Sequence, residues 1–184
     1  MAVVVALSVS ATTLSSVAAQ DEASVGVDSD PAGNTATSLG ELQHCRRVEV
    51  NDAFDVDVYA IDLPGVEAFQ LILNYDPAIL QVTHIDDQQL IAANQGSQPI
   101  SLSADPSKDS DIANEPDTIP EGKDGSINIV NVDFASGPPD ESGSGVLARV
   151  SLKAMAKGVS SVALTNVKIP RTNPDNPSAP PLFV

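Results

Sequence analysis

Apolar and polar residues alternate with a period of two through the middle of the chain, which predicts strands with one buried face. Phe54, Val56 and Val58 alternate with Asp55, Asp57 and Tyr59, setting one row inward and leaving the carboxylates in water. After Pro64-Gly65, Phe69, Leu71, Leu73 and Tyr75 take inward positions while Ala68, Gln70, Ile72 and Asn74 face outward. Asp76-Pro77 ends that strand, because proline has no N–H to give to a ladder. One helical turn over residues 78–82 and a strand over 82–85 follow. Residues 127–134 alternate again, with Asn128, Val130, Val132 and Phe134 as the mostly apolar, inward side, and burial on both faces near Ile129 stays open. Val146, Ala148, Val150 and Leu152 are read inward against Leu147, Arg149, Ser151 and Lys153, and Val162, Leu164, Val167 and Ile169 close the set. Short strands punctuated by Gly and Pro, without a sustained 3.6-residue period, predict an all-β fold, a sandwich or a barrel.

The two ends read differently. Residues 1–19, MAVVVALSVSATTLSSVAA, carry no charge, and their apolar run is far shorter than the roughly 20 residues a bilayer span needs. The small residues Val17, Ala18 and Ala19 suit signal peptidase, so this segment is read as a secretory signal peptide although a basic start is missing. Residues 20–39 have the composition of a flexible spacer, and residues 170–184, with five of the fourteen prolines, that of a Pro-rich tail or linker. The domain proper is placed at residues 40–169.

Composition narrows the function. Nine Lys and Arg against 25 Asp and Glu give a net charge of −16, which argues against nucleic acid and against insertion into or attraction to an anionic membrane. A single cysteine, Cys45, excludes a disulfide scaffold and is read as a buried or half-buried thiol without chemistry. With no Trp, the core is aliphatic.

Catalytic signals are absent. Seven acids crowd residues 101–125 (Asp105, Asp109, Asp111, Glu115, Asp117, Glu121 and Asp124), but their spacing lacks the calcium-loop pattern, and a solvated acidic loop is the preferred reading. Asp86-Asp87 and Asp140-Glu141 are read as turn residues, since neighbours on a strand point to opposite faces. His44 and His84 have no nucleophile or carboxylate at a useful spacing, and no phosphate loop or zinc motif occurs.

Three segments resemble the cohesin domains, which bind dockerin modules on the scaffolds and surfaces of polysaccharide-degrading microbes. Residues 65–82, GVEAFQLILNYDPAILQV, are similar to the family's strand ending in Y-D-P-x-x-L-x-V at Tyr75, Asp76, Pro77, Leu80 and Val82. Residues 143–154, GSGVLARVSLKA, and residues 49–58, EVNDAFDVDV, look like two further strands of that family. The resemblance implies a jelly-roll-like sandwich of about nine strands that is not an enzyme, needs no cofactor, and captures a dockerin-bearing partner on one flat sheet face. Calcium would belong mainly to the partner. Ala68, Gln70 and Ile72, with Asp133 and Ala135 on the neighbouring strand, are the implied partner-binding residues. Better-known cohesins carry Asn and Asp where this chain has Ala68 and Gln70, so the resemblance does not name a dockerin class. Two other readings stay open at this point: direct polysaccharide binding, for which only Tyr59 is a free aromatic, and a structural spacer in a surface protein.

Overall fold

The computed structural model describes residues 23–106, 125–134, 141–170 and 182–183. Among them, nine strands form two antiparallel sheets. In chain order these are β1 (Ser24–Asp28), β2 (Ala53–Val66), β3 (Ala68–Asn74), β4 (Leu80–Asp86), β5 (Pro99–Ser101), β6 (Ser126–Asp133), β7 (Glu141–Ala154), β8 (Ala163–Ile169) and β9 (Leu182–Phe183). One sheet runs β1-β2-β7-β4 and the other β5-β6-β3-β8-β9, so of the sandwich and barrel that the alternation allows, the chain forms the sandwich that the resemblance implies. A single 3-10 turn at Leu90–Ala92 buries Leu90 and Ile91. No helix of the described residues is long and apolar enough to cross a membrane.

The inward rows meet between the sheets. Val56 and Val58 of β2, Phe69, Leu71 and Leu73 of β3, Val82 and Ile85 of β4, and Val150 and Leu152 of β7 are all buried in one aliphatic cluster. Each large side chain taken fully out of water contributes about 1.5–3 kcal/mol before the chain-entropy cost. Tyr75 closes the β3 row, and the next turn is held by Asp76, whose carbonyl accepts the N–H groups of Ile79 and Leu80. In β8 the inward row steps from Leu164 to Val167 because Asn166 takes a left-handed φ of 52° and shifts the register against β3 between Gln70 and Ile72.

Several expectations are corrected. In β6 the buried residues are Ile127, Ile129 and Asn131, so Asn128, Val130 and Val132 face outward, the reverse of the expected assignment. In β7 a bulge opposite Val58 and Tyr59 turns Leu147 into the core, and Val146 is buried instead beneath the turn at Thr35, whose carbonyl accepts its N–H. Asp57 is fully buried, not solvated. Cys45 is exposed.

The expected spacer is also part of the sandwich. Residues Ser24–Asp28 form β1, paired with β2 from Ser24 opposite Ile61 to Asp28 opposite Asp57. Gly26 lies directly against the Tyr59 ring, where a Cβ would sit 2.5 Å from its hydroxyl oxygen. At the other end, Leu182–Phe183 pairs with Lys168 and Ile169 as β9, so part of the Pro-rich tail returns to the sheet. The signal-like residues 1–19 lie outside the described residues.

Candidate functional site

The outward face of the five-stranded sheet is built by register. Ala68, Gln70, Ile72 and Asn74 of β3 lie opposite Val132, Val130, Asn128 and Ser126 of β6, all with the same outward parity. Ile100 of β5 pairs with Val132 and continues the row. On the other side of β3, Gln70 meets Lys168 and Ile72 meets Thr165. The result is an apolar stripe at the β5–β6 side that grades into an amide and hydroxyl patch, where Asn74 Nδ2 donates to Thr165 Oγ1 at 2.8 Å.

The stripe is exposed. Ile100 keeps 48% of its surface, Leu102 38% and Phe134 62%, a cluster of large apolar groups that a water-facing sheet would ordinarily avoid. None of the outward residues named on β3, β5 and β6 is charged, in a chain with 25 acids. Lys168 is the one charged side chain among the described partners of Gln70 and Ile72.

A buried polar cluster holds the edge of this face. Asp87, 1% exposed, accepts hydrogen bonds from Ser101 Oγ at 2.7 Å and Asn131 Nδ2 at 3.1 Å, together with one from Ser103 Oγ. Ser103 Oγ in turn accepts the Val130 N–H at 2.8 Å, and Leu102 N–H reaches the Val130 carbonyl at 2.8 Å. These contacts extend the β5 edge past Ser101 and set Leu102 beside Val130. Beyond them Asp105, almost fully buried, meets His84 Nδ1 at 3.1 Å, which ties residues 103–105 to β4.

The structure therefore places Ala68, Gln70 and Ile72 together on one face, with Gln70 Nε2 3.4 Å from Asn128 Oδ1. Asp133 has the opposite parity to Val132. Its carboxylate accepts the Gln98 N–H at 2.7 Å and its own N–H reaches the Glu67 carbonyl, so it shapes the start of β5 instead of joining the apolar row. Ala135 lies outside the described residues. Val130, Val132, Ile100 and Leu102 are the residues that sequence reasoning left off this face. Tyr59, expected to be free, is half-buried against β1, whereas Phe134 is the exposed aromatic. Among the described residues no three His, Cys, Asp or Glu side chains gather as a metal site. Asp109, Asp111, Glu115, Asp117, Glu121 and Asp124 lie outside them.

A family model described as "Cohesin domain" matches residues 44–174, most of the sandwich. The chain belongs to the cohesin family. Cohesin domains are protein-interaction modules, not enzymes as a class. Similar solved structures include a non-cellulosomal cohesin from the archaeon Archaeoglobus fulgidus, 18% identical, covering 65% of this chain and 68% of its own length at a TM-score of 0.43. Another is the third cohesin ScaC of Acetivibrio cellulolyticus, in complex with the ScaB dockerin, 12% identical over 66% of this chain and 77% of that one, with a TM-score of 0.46. A third is the cohesin of the Coh-OlpC-Doc435 complex from Clostridium thermocellum, 15% identical over 65% and 73%, with a TM-score of 0.44. No curated protein matches the chain. Within this cohesin domain, the outward face of β5, β6, β3 and β8, uncharged on β5 and β6 and edged by Lys168 on β8, is the candidate site.

Proposed function

We propose that this cohesin domain binds a dockerin-bearing partner through the outward face of β5, β6, β3 and β8. The observation that carries the proposal is the outward stripe of exposed Ile100, Leu102 and Phe134 with half-buried Val130 and Val132, beside Gln70 and Asn128, an apolar row in a chain of net charge −16. An apolar centre with hydrogen-bonding amides at its margin is the composition that removes water productively when a second protein covers it. The direct geometry for a sugar platform is weaker, because sugar rings stack on broad aromatic faces and, among the residues whose burial is described, Phe134 is the one exposed aromatic. The signal-like residues 1–19 support an extracellular site of action, in keeping with polysaccharide degradation or surface assembly.

Titration calorimetry against a panel of calcium-loaded dockerins tests the proposal, with EDTA as the control for calcium held by the partner. Saturable binding to at least one member, lost in EDTA, is the expected result. Silence across the panel, together with retention on a polysaccharide affinity gel, would move the function to carbohydrate binding.

A further inference from the structure

A second cluster of exposed apolar side chains lies at one end of the sandwich, away from the β5-β6-β3-β8 face. A groove of about 850 Å³ opens there between the segment before β2 and the loop after β7. Its floor is aliphatic, made by half-buried Ile79 and Val162 over the buried Val56 and Leu80. Two large apolar side chains stand at its rim, Val50 at 37% exposure and Val159 at 93%. None of the residues that line it belongs to the proposed dockerin face.

The charge of this groove is opposite to that of the molecule. Arg46, Arg47 and Lys157 line it, three of the chain's nine cations, against Glu49 as the single acid in the lining. Arg46 is steadied by Asp30 at 3.6 Å and lies over the Phe54 ring with its guanidinium carbon 5.9 Å from the centroid. Arg47 and Lys157 are exposed. Cations concentrated on one concave apolar surface, in a protein of net charge −16, complement an anionic ligand that also offers apolar groups.

We propose that this groove binds an acidic peptide segment of another protein, with its aliphatic side chains against Ile79, Val162, Val50 and Val159 and its carboxylates on Arg47 and Lys157. The aliphatic floor favours a peptide over an anionic polysaccharide, whose rings would look for aromatic faces. Such a site would let this cohesin domain hold a second partner while its sheet face is occupied.

The probe is a fluorescein-labelled twelve-residue peptide of alternating Glu and Leu, followed by anisotropy with the full chain. Cys45, the chain's one cysteine, is exposed and lines the groove, so its reaction with a thiol reagent provides an independent footprint. Saturable binding that slows Cys45 modification several-fold and weakens as salt rises is expected. The Arg47→Glu/Lys157→Glu variant, which leaves Arg46 with Asp30 and Phe54, should lose at least tenfold in affinity with an unchanged melting temperature. Val159→Asp provides a second variant with the same expected direction. Binding that ignores both variants, or fails to protect Cys45, overturns the proposal. So does tighter binding of polygalacturonate than of the peptide, or self-association of the chain that the charge-reversed variant abolishes.

Discussion

The Arg149 guanidinium grips the Asp57 carboxylate across the β2–β7 ladder with two hydrogen bonds, 2.8 Å from Nε to Oδ1 and 2.9 Å from Nη2 to Oδ2. Asp57 is fully buried, and Asn34 Nδ2 donates to it at 3.1 Å and to Asp28 Oδ2 at 2.8 Å. Asp28 Oδ1 also takes the N–H groups of Asp30 and Gln43, so a charged cluster seats residues 28–43 on the outer face of the four-stranded sheet. The hydrogen bond to Asp57 outweighs partial burial and holds the Arg149 pKa above its already high ordinary value. A fork of two parallel bonds fits guanidinium and carboxylate, which an ammonium cannot reproduce.

Arg149→Ala should therefore cost about 3 kcal/mol, because it leaves a buried carboxylate without its counter-charge. Arg149→Lys should cost less, keeping the charge but losing the fork. Urea unfolding of the two variants measures the difference; equal losses would mean that the two-bond fork alone, and neither the charge nor the aliphatic stem, sets the cost.

β1 supplies Asp28 to that cluster and pairs with β2, and the turn after it supplies Asn34. A chain beginning at residue 40 should then melt more than about 5 °C below one beginning at residue 20, since in a protein of this size 1 kcal/mol corresponds to about 2–4 °C. Identical melting curves would return residues 20–39 to the status of a spacer.

Gly145 lies under the same turn. A Cβ there would stand 2.0 Å from the Ala36 carbonyl oxygen, and backbone cannot swing aside as a side chain can. Gly145→Ala should destabilise by about 1–3 kcal/mol, in the range of other overpacked sites. Calorimetric melting provides the check, and an unchanged transition would show that the 34–38 turn yields freely.

The faces of β3 were legible in the sequence because its two rows differ in kind, Phe69, Leu71 and Leu73 against Ala68, Gln70 and Asn74. β6 was not, because it is apolar on both sides. Ile127 and Ile129 compete with Val130 and Val132, and periodicity has no means of choosing between them. The structure resolves the choice by turning Asn131 inward, where Asp87, 44 positions away in sequence, accepts hydrogen bonds from its Nδ2. Burial of Asp57 was hidden for the same reason, its Arg149 partner being 92 residues distant. Ile100 and Leu102 escaped notice because β5 has only three residues, too few for an alternation to show. The family motif at Tyr75-Asp76-Pro77 was plain because its turn chemistry is local.

The dockerin-binding account turns on the apolar row of the five-stranded sheet. Val130 is its centre, flanked by Gln70 on β3 and Leu102 at the β5 edge, and its side chain points out of the sandwich. Val130 is half-buried, so an Asp there should leave the chain folded but cost about 1 kcal/mol in strand propensity and packing. A buried carboxylate in the middle of an interface would meet no partner, whereas the same group costs little in water.

The most direct measurement is calorimetric titration of the wild-type chain and Val130→Asp with whichever calcium-loaded dockerin the panel identifies, alongside their melting temperatures. The account predicts at least a hundredfold loss of affinity with a melting temperature lowered by no more than about 2–4 °C. Equal affinity for the two proteins would contradict it and place the partner's footprint on another surface.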